Sequence, residues 1–495
     1  MNIDATIGTY LTTGALPELP ADHFIAGAWT APAANQRMET FDAGLGKPFH
    51  DFAAGNAEDV DRAVTSAHEA QAAWGRTKAS ARGAILSRAA ALLREEAAWF
   101  AFVESLDSGK PLQEAEGDVA GAARAFEYYG GAADKIEGDT FPIGDAYLGY
   151  SEPEPVGVTA HIIPWNFPIS TAARGIAPAL AAGCTVVAKP AETTPLTMLM
   201  LGELLVRAGL PAGVCNVVTG TGADAGAALV SHPRVRHITF TGSVPTGQGV
   251  MQAASRHVAS VVLELGGKSP LVVLADAALD QAADGVIGAI YENAGQVCSA
   301  GSRLIVERGA HDALLERVLA RVAALRMGHG LRRSTLGPLN SEPHLQRVTA
   351  KVDAAKARGL APIAGGSTAA DPETGSGWFF EPTIFDDVPS DDPVVQDEIF
   401  GPVLAVQIAE DAEDATRLAN CTDYALVAGI YTNNFSAAHR MARDIDAGQV
   451  FINEYFAGGI EVPFGGNRMS GFGREKGLAA MHNYLRVKSI AAKIG

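Results

Sequence analysis

The chain has 495 residues, 47% of them hydrophobic and 19% charged, and a formal net charge of −18. That length exceeds a single core and implies roughly two to four domains, with the composition of an ordinary folded protein rather than a disordered one. The acidic balance disfavours nucleic acid and anionic membrane surfaces as partners.

Residues 1 to 23 read as a loosely ordered arm, and Met1 to Tyr10 has neither the basic nor the apolar region of a signal peptide. Phe24 to Trp29 reads as a short hairpin strand. Asn56 is placed to cap a helix in which Val60, Val64, Ala67, Gln71 and Trp74 recur at helical spacing, with Asp59 in its first turn. A second helix carries Ile85, Leu86, Ala89, Leu92 and Leu93 on one face, and a third spans roughly Leu112 to Tyr129. Residues 137 to 154 are turn-rich. The uncharged run Pro155 to Ala173 holds three prolines, His161 and Asn166, which rules against a membrane helix. Four cysteines (Cys184, Cys215, Cys298, Cys421) lie far apart with no paired spacing. Neither a disulfide framework nor a metal site is expected, and a reducing, cytoplasmic setting is.

From Val156 to Thr241 strands alternate with helices (Val156–Ile163, Thr185–Ala188, Cys215–Thr219, His237–Thr241), which implies a parallel sheet covered on both faces. Ligands of such sheets bind beyond the carboxyl ends of the strands. Between Pro164 and Pro168 the backbone is fixed around Asn166, whose amide can donate to a developing oxyanion. Lys189 and Glu192 follow a strand and can hydrogen-bond the two hydroxyls of an adenosine ribose. Glu192 would repel a 2′-phosphate, which favours NAD over NADP. In Gly220 to Gly226 the spacing departs from the usual dinucleotide fingerprint; it reads as a turn whose Gly222 lets an adenine lie close. In Phe240 to Gly247 a strand, a turn at Gly242 and a helix start would set backbone amides and Ser243 against a pyrophosphate.

Glu264 ends an apolar strand between Leu263 and Leu265 and is followed by Gly266 and Gly267. Poor solvation there raises its basicity, as suits a general base; a salt-bridged strand-end glutamate is the plainer alternative. Further on, Cys298 sits among small residues, with Gly295 and Gly301 allowing close backbone approach and Leu304 to Val306 reading as a strand. This is how a nucleophile is presented at a cleft, although most free cysteines are small buried hydrophobes.

A cysteine nucleophile, a glutamate base and an asparagine oxyanion donor, in this order and spacing, resemble the aldehyde dehydrogenase superfamily of the NAD(P)-dependent, non-acylating type, from about Phe24 to about Ile490. The resemblance implies an α/β fold: a Rossmann-like cofactor domain (1–136 and 155–266), a second α/β catalytic domain (267–470), and a small β oligomerisation arm (137–154 and 480–495). In that arm the 137–154 hairpin is expected to pair with the strand Tyr484 to Ala492 across a subunit interface of a homodimer or homotetramer. The resemblance further implies an NAD site that includes Ile163, Pro164, Trp165 and Leu265, with Glu398 on the nicotinamide ribose and Phe400 beside the nicotinamide. Residues 463 to 475 match the family's C-terminal signature, with Arg468 where lysine is more common.

The implied reaction oxidises an aldehyde to a carboxylic acid. Cys298 forms a thiohemiacetal and then a thioester, and water activated by Glu264 releases the acid. The alternative is transfer to coenzyme A by a semialdehyde dehydrogenase; relatives doing this commonly lack the base. Three positions bear on substrate. Arg174 and Gly175 stand where many relatives have a bulky aromatic and a lysine, and Arg174 can bind a substrate carboxylate or pair with a nearby acid. Glu292 lies where relatives acting on succinate semialdehyde carry arginine and would repel a carboxylate. Gly458 replaces a bulky aromatic, leaving a wide, partly polar mouth.

Overall fold

The computed structural model describes residues 2–495. Its core consists of two large sheets. The first has eight strands, of which five are parallel and central, in the spatial order Cys215–Val217, Thr185–Lys189, Val158–Ile162, Val235–Thr241 and Ser260–Glu264. Short antiparallel strands close both edges: His23–Ile25 with Ala28–Thr30 on one side, Gly471–Phe472 on the other. The second sheet has seven strands, parallel except at one edge, in the order Pro362–Ala364, Thr383–Phe385, Val403–Ala409, Arg303–Glu307, Pro270–Val273, Val427–Tyr431 and Gln449–Ile452. Central strands such as 158–162 and 185–189 are almost wholly buried, because helices cover both faces.

The helices follow from capping and spacing. Asn56 caps Ala57–Arg76, its side chain accepting from the amides of Glu58 and Asp59 while Asp59 reaches back to the Asn56 amide. The second and third helices span Ala79–Glu95 and Leu112–Ala132. Between them lies a helix the sequence pattern concealed, Ala97–Ser108, buried from Phe100 to Ser108, Glu104 and Asp107 included. A helix enclosed on all sides has no polar face, so periodicity does not reveal it.

Two expectations are corrected. Within 1 to 23 the arm is ordered: Ile3–Thr13 is a helix, capped by the Asn2 side chain and stopped by Gly14 in the left-handed region. Met1 lies outside the described residues. Ile7 and Tyr10 are buried on one face, and the Tyr10 hydroxyl donates to Asp42 Oδ2 at 2.6 Å, an oxygen His329 also reaches at 2.9 Å. Secondly, the C-terminal strand Leu485–Lys493 pairs antiparallel with Tyr147–Pro155 of its own chain, in register from Leu485↔Pro155 to Lys493↔Tyr147, and not across a subunit boundary. Tyr147–Pro155 also pairs with Thr140–Phe141, giving a three-stranded sheet. No described helix is long and apolar enough to cross a membrane.

Tyr10→Phe removes one donor from the buried Asp42 carboxylate. It is expected to destabilise the fold by about 1–3 kcal/mol, read as a lower urea midpoint; an unchanged midpoint would mean that the arm adds nothing.

Candidate active site

The helix Leu279–Tyr291 ends abruptly. Asn293, Ala294 and Gly295 all have positive φ, at 45°, 53° and 73°. For Asn293 and Ala294 this backbone costs about 1–2 kcal/mol each. The turn is held by a ring of amides: Asn293 Nδ2 donates to the Asn166 carbonyl at 3.1 Å, Asn166 Nδ2 to the Gln296 carbonyl at 2.9 Å, and Gln296 Nε2 to the Asn293 carbonyl at 2.9 Å. Gln296 Oε1 accepts from the Asn340 amide at 2.8 Å. This network places Cys298, half-buried, just before the strand 303–307. A primary amide has two N–H groups, so Asn166 keeps one for a developing oxyanion.

Glu264 ends its strand, and the chain enters the second sheet at Pro270. The crossing between them is packed to the limit. An added Cβ at Gly266 would lie 2.3 Å from Glu398 Oε2, and one at Gly267 2.4 Å from the Cys298 carbonyl. The Gly267 amide donates to Glu398 Oε1 at 3.0 Å, and Ser470 Oγ donates to the Gly266 carbonyl at 2.8 Å. Glu264 is buried with neither carboxylate oxygen hydrogen-bonded. Burial, then the neighbouring Glu475, raise its pKa well above the usual range, against the opposing pull of Arg174. Burial likewise pushes the Cys298 thiol up to about 12, with Arg174 opposing and Glu264, Glu398 and Glu475 adding to the rise.

Cys298 lies on the wall between two cavities. The larger, about 460 Å³, runs past Ile163, Pro164, Trp165 and Asn166 to Lys189, Glu192, Gly222, Gly242, Ser243, Leu265, Glu398 and Phe400. All the residues the sequence assigned to a cofactor therefore line one cleft. Lys189 is buried, its ammonium donating to the Pro190 carbonyl at 2.6 Å and lying 3.6 Å from Glu192 Oε2. Gly222 opens a wide π-type helical turn, and a Cβ there would meet no protein atom, so the vacant volume belongs to the cleft. Beside it an apolar slot of about 300 Å³ lies between Val230 and Val250. The Phe400 ring meets Trp165 edge-on at 5.3 Å between centroids, and the His344 ring N–H donates to the Phe400 carbonyl at 2.7 Å. His344, Arg347 and Lys351 also line the cleft. Their spacing on the helix Glu342–Ala357 was the signal that sequence reading missed.

The smaller cavity, about 200 Å³, reaches Cys298 from the other side and includes Arg174, Glu292 and Gly458. Here the structure decides between the two readings of Arg174: its Nε donates to Glu475 Oε2 at 2.9 Å, and an Nη approaches the same oxygen. It pairs with an acid of its own chain. The neighbouring lysine of many relatives is sterically excluded, since a Cβ at Gly175 would lie 2.8 Å from Nδ1 of the buried His161. Arg174 supplies the cation from one position earlier. Gly458 has φ 92°, and a Cβ would meet Val462 at 3.0 Å. Lys476 and Asp118 complete the ionisable groups lining this cavity, and Glu475 stands behind Arg174; none of the three was singled out from sequence.

A family model described as the aldehyde dehydrogenase family matches residues 29–490. Among solved structures, an indole-3-acetaldehyde dehydrogenase of P. syringae in complex with NAD+ and IAA is similar at 39% identity, with 99% of each chain covered and a TM-score of 0.96. The aldehyde dehydrogenase KauB of Pseudomonas aeruginosa is 37% identical over 99% of each chain, TM-score 0.95. A betaine aldehyde dehydrogenase of Staphylococcus aureus, in complex with NAD+, is 33% identical over 97% of this chain and 98% of its own, TM-score 0.94.

Gly267→Ala should displace Cys298 and lower kcat about 100-fold or more, with the melting temperature lowered by the same clash; retained activity would show slack in the crossing. Because the thiol is raised, its thiolate is scarce at neutral pH and grows as pH rises. Alkylation of Cys298 by iodoacetamide should therefore keep accelerating beyond the ordinary thiol range of about 8.5. Arg174→Met, which removes a charge favouring the thiolate, should slow alkylation at any given pH. Faster alkylation in that variant would refute the assignment.

Proposed function

The chain belongs to the aldehyde dehydrogenase family, and from that premise we propose that it oxidises an aldehyde to a carboxylic acid with NAD. The observation that carries the reading is the convergence of Cys298, Glu264 and the Asn166 amide where the two cavities meet. The thiolate of Cys298 attacks the aldehyde carbon and gives a thiohemiacetal, whose oxygen accepts from the free Asn166 N–H and the Cys298 amide. The thiohemiacetal carbon then loses its hydride, for which NAD, when bound, would be the acceptor, and its C–O bond becomes the carbonyl that leaves Cys298 in thioester linkage to the acyl group. Glu264, buried and without hydrogen bonds, takes a proton from water, which attacks the thioester and frees the acid and the thiolate.

The residues present fit NAD. Lys189 and Glu192 would hold the adenosine ribose, the slot beside Gly222 the adenine, and Ser243 with the start of the helix Val244–Ser255 the pyrophosphate. Glu398, placed by the Gly267 amide, would take the nicotinamide ribose, and Phe400 would flank the ring. Glu192 supports NAD over NADP because its carboxylate would repel a 2′-phosphate. Exposed Phe141, Tyr147, Leu148 and Val487 on the three-stranded sheet, with Ile143 in the loop beside them, support a homo-oligomer, dimer or tetramer. The four free thiols suit a reducing, cytoplasmic setting.

Formation of reduced nicotinamide over a panel of aldehydes is expected with NAD as NADH, weaker with NADP as NADPH, and lost in Cys298→Ala. Glu264→Gln should keep a first burst of NADH while steady turnover falls about 100- to 10,000-fold. Full turnover in Cys298→Ala, or an absent burst in Glu264→Gln, would overturn the scheme.

A further inference from the structure

We infer that Lys476 anchors a carboxylate at the far end of the substrate, so that the preferred aldehydes carry a terminal anionic group. The inference rests on the reading of this site as an aldehyde-oxidising one. Four ionisable side chains besides Cys298 line the smaller cavity: Asp118, Arg174, Glu292 and Lys476. Two are already engaged, Asp118 by Lys110 and Arg174 by Glu475. Among the described residues the ammonium of Lys476 has neither an ion-pair nor a hydrogen-bond partner; it lies over the Phe464 ring, 5.3 Å from the centroid. The Arg174 guanidinium lies against the same ring at 4.9 Å.

A half-buried cation in direct contact with no acid, felt by Glu475 and Glu264 only at longer range and held on a left-handed backbone with φ 58°, is an incomplete ion pair facing a cavity. Burial, then Arg174, lower its pKa to about 8, so it is still mostly charged at neutral pH and an incoming anion would favour that charge further. The rings of Phe167, Phe451 and Phe464 line the same space and suit the carbon chain between the two ends of such a substrate.

Glu292 does not oppose this as its sequence position suggested. Burial, then Asp118, push its carboxyl up to about 7, which eases the neutral form. In that form it donates a hydrogen bond instead of presenting a charge.

The test uses purified enzyme with NAD and straight-chain aldehydes of graded length ending in a carboxylate, the matching primary amide, or an amine. The wild type should show the highest kcat/KM with a carboxylate end. In Lys476→Met the carboxylate-to-amide ratio of kcat/KM should fall about tenfold or more, chiefly through KM, and Lys476→Arg should restore it. An unchanged ratio in Lys476→Met, or a wild-type preference for the amine, would overturn the inference, the latter assigning the cavity to Glu292. No NADH from any aldehyde, uncharged ones included, would instead sink the underlying reading.

Discussion

The site depends on one short crossing. Leu265 to Ser269 are all that separate the end of a strand in the first sheet from the start of a strand in the second. Glu264, the proposed base, sits at one end of this span, and the carbonyl of Cys298, the proposed nucleophile, lies against its middle, at Gly267. Glu398 reaches in from the second sheet to take the Gly267 amide, and Ser470 takes the Gly266 carbonyl. Any side chain at either glycine would force apart groups that must meet within reach of one substrate atom. The two glycines are thus required by contact and not by backbone angle, since neither has positive φ. Arg303 braces the far side: fully buried, it donates to the carbonyls of Lys268, Leu418 and Ala419, each at 2.8 Å.

The second constraint is electrostatic. Glu264, Arg174, Lys476 and Cys298 shift one another's protonation, and the Glu475 carboxylate acts on all four. Arg174 and Glu475 neutralise each other, and that pair keeps the base from facing an isolated second carboxylate. A lone buried charge would cost several kcal/mol, so such a group persists only when paired or when its protonation state shifts. Both outcomes occur here within one small volume.

Most of this was legible in the sequence where function writes itself into local spacing. Cys298, Glu264, Asn166 and the strand-end residues of the cofactor cleft stand beside glycines and prolines that announce unusual backbone. The rest was hidden for physical reasons. Glu475 and Lys476 reach the site from the far end of the chain, and no local pattern links them to Arg174. His344, Arg347 and Lys351 lie on an ordinary amphipathic helix. The helix Ala97–Ser108 is buried on every side and lacks the polar stripe by which helices are recognised. The three-stranded sheet was expected to form between two chains because a hairpin and a distant strand give no sign of which chain supplies the partner; here one chain supplies both.

The packing of His161 against Gly175 makes a strand and a helix share one steric fit. No side chain enters at 175 while the His161 ring stands, because a Cβ there would lie 2.8 Å from its Nδ1. The helix Pro168–Ala182 therefore lies against the strand Val158–Ile162 at a distance that only a bare backbone permits. Arg174, the residue before that glycine, inherits its place beside Glu475 from a contact made on the far side of the helix from any substrate.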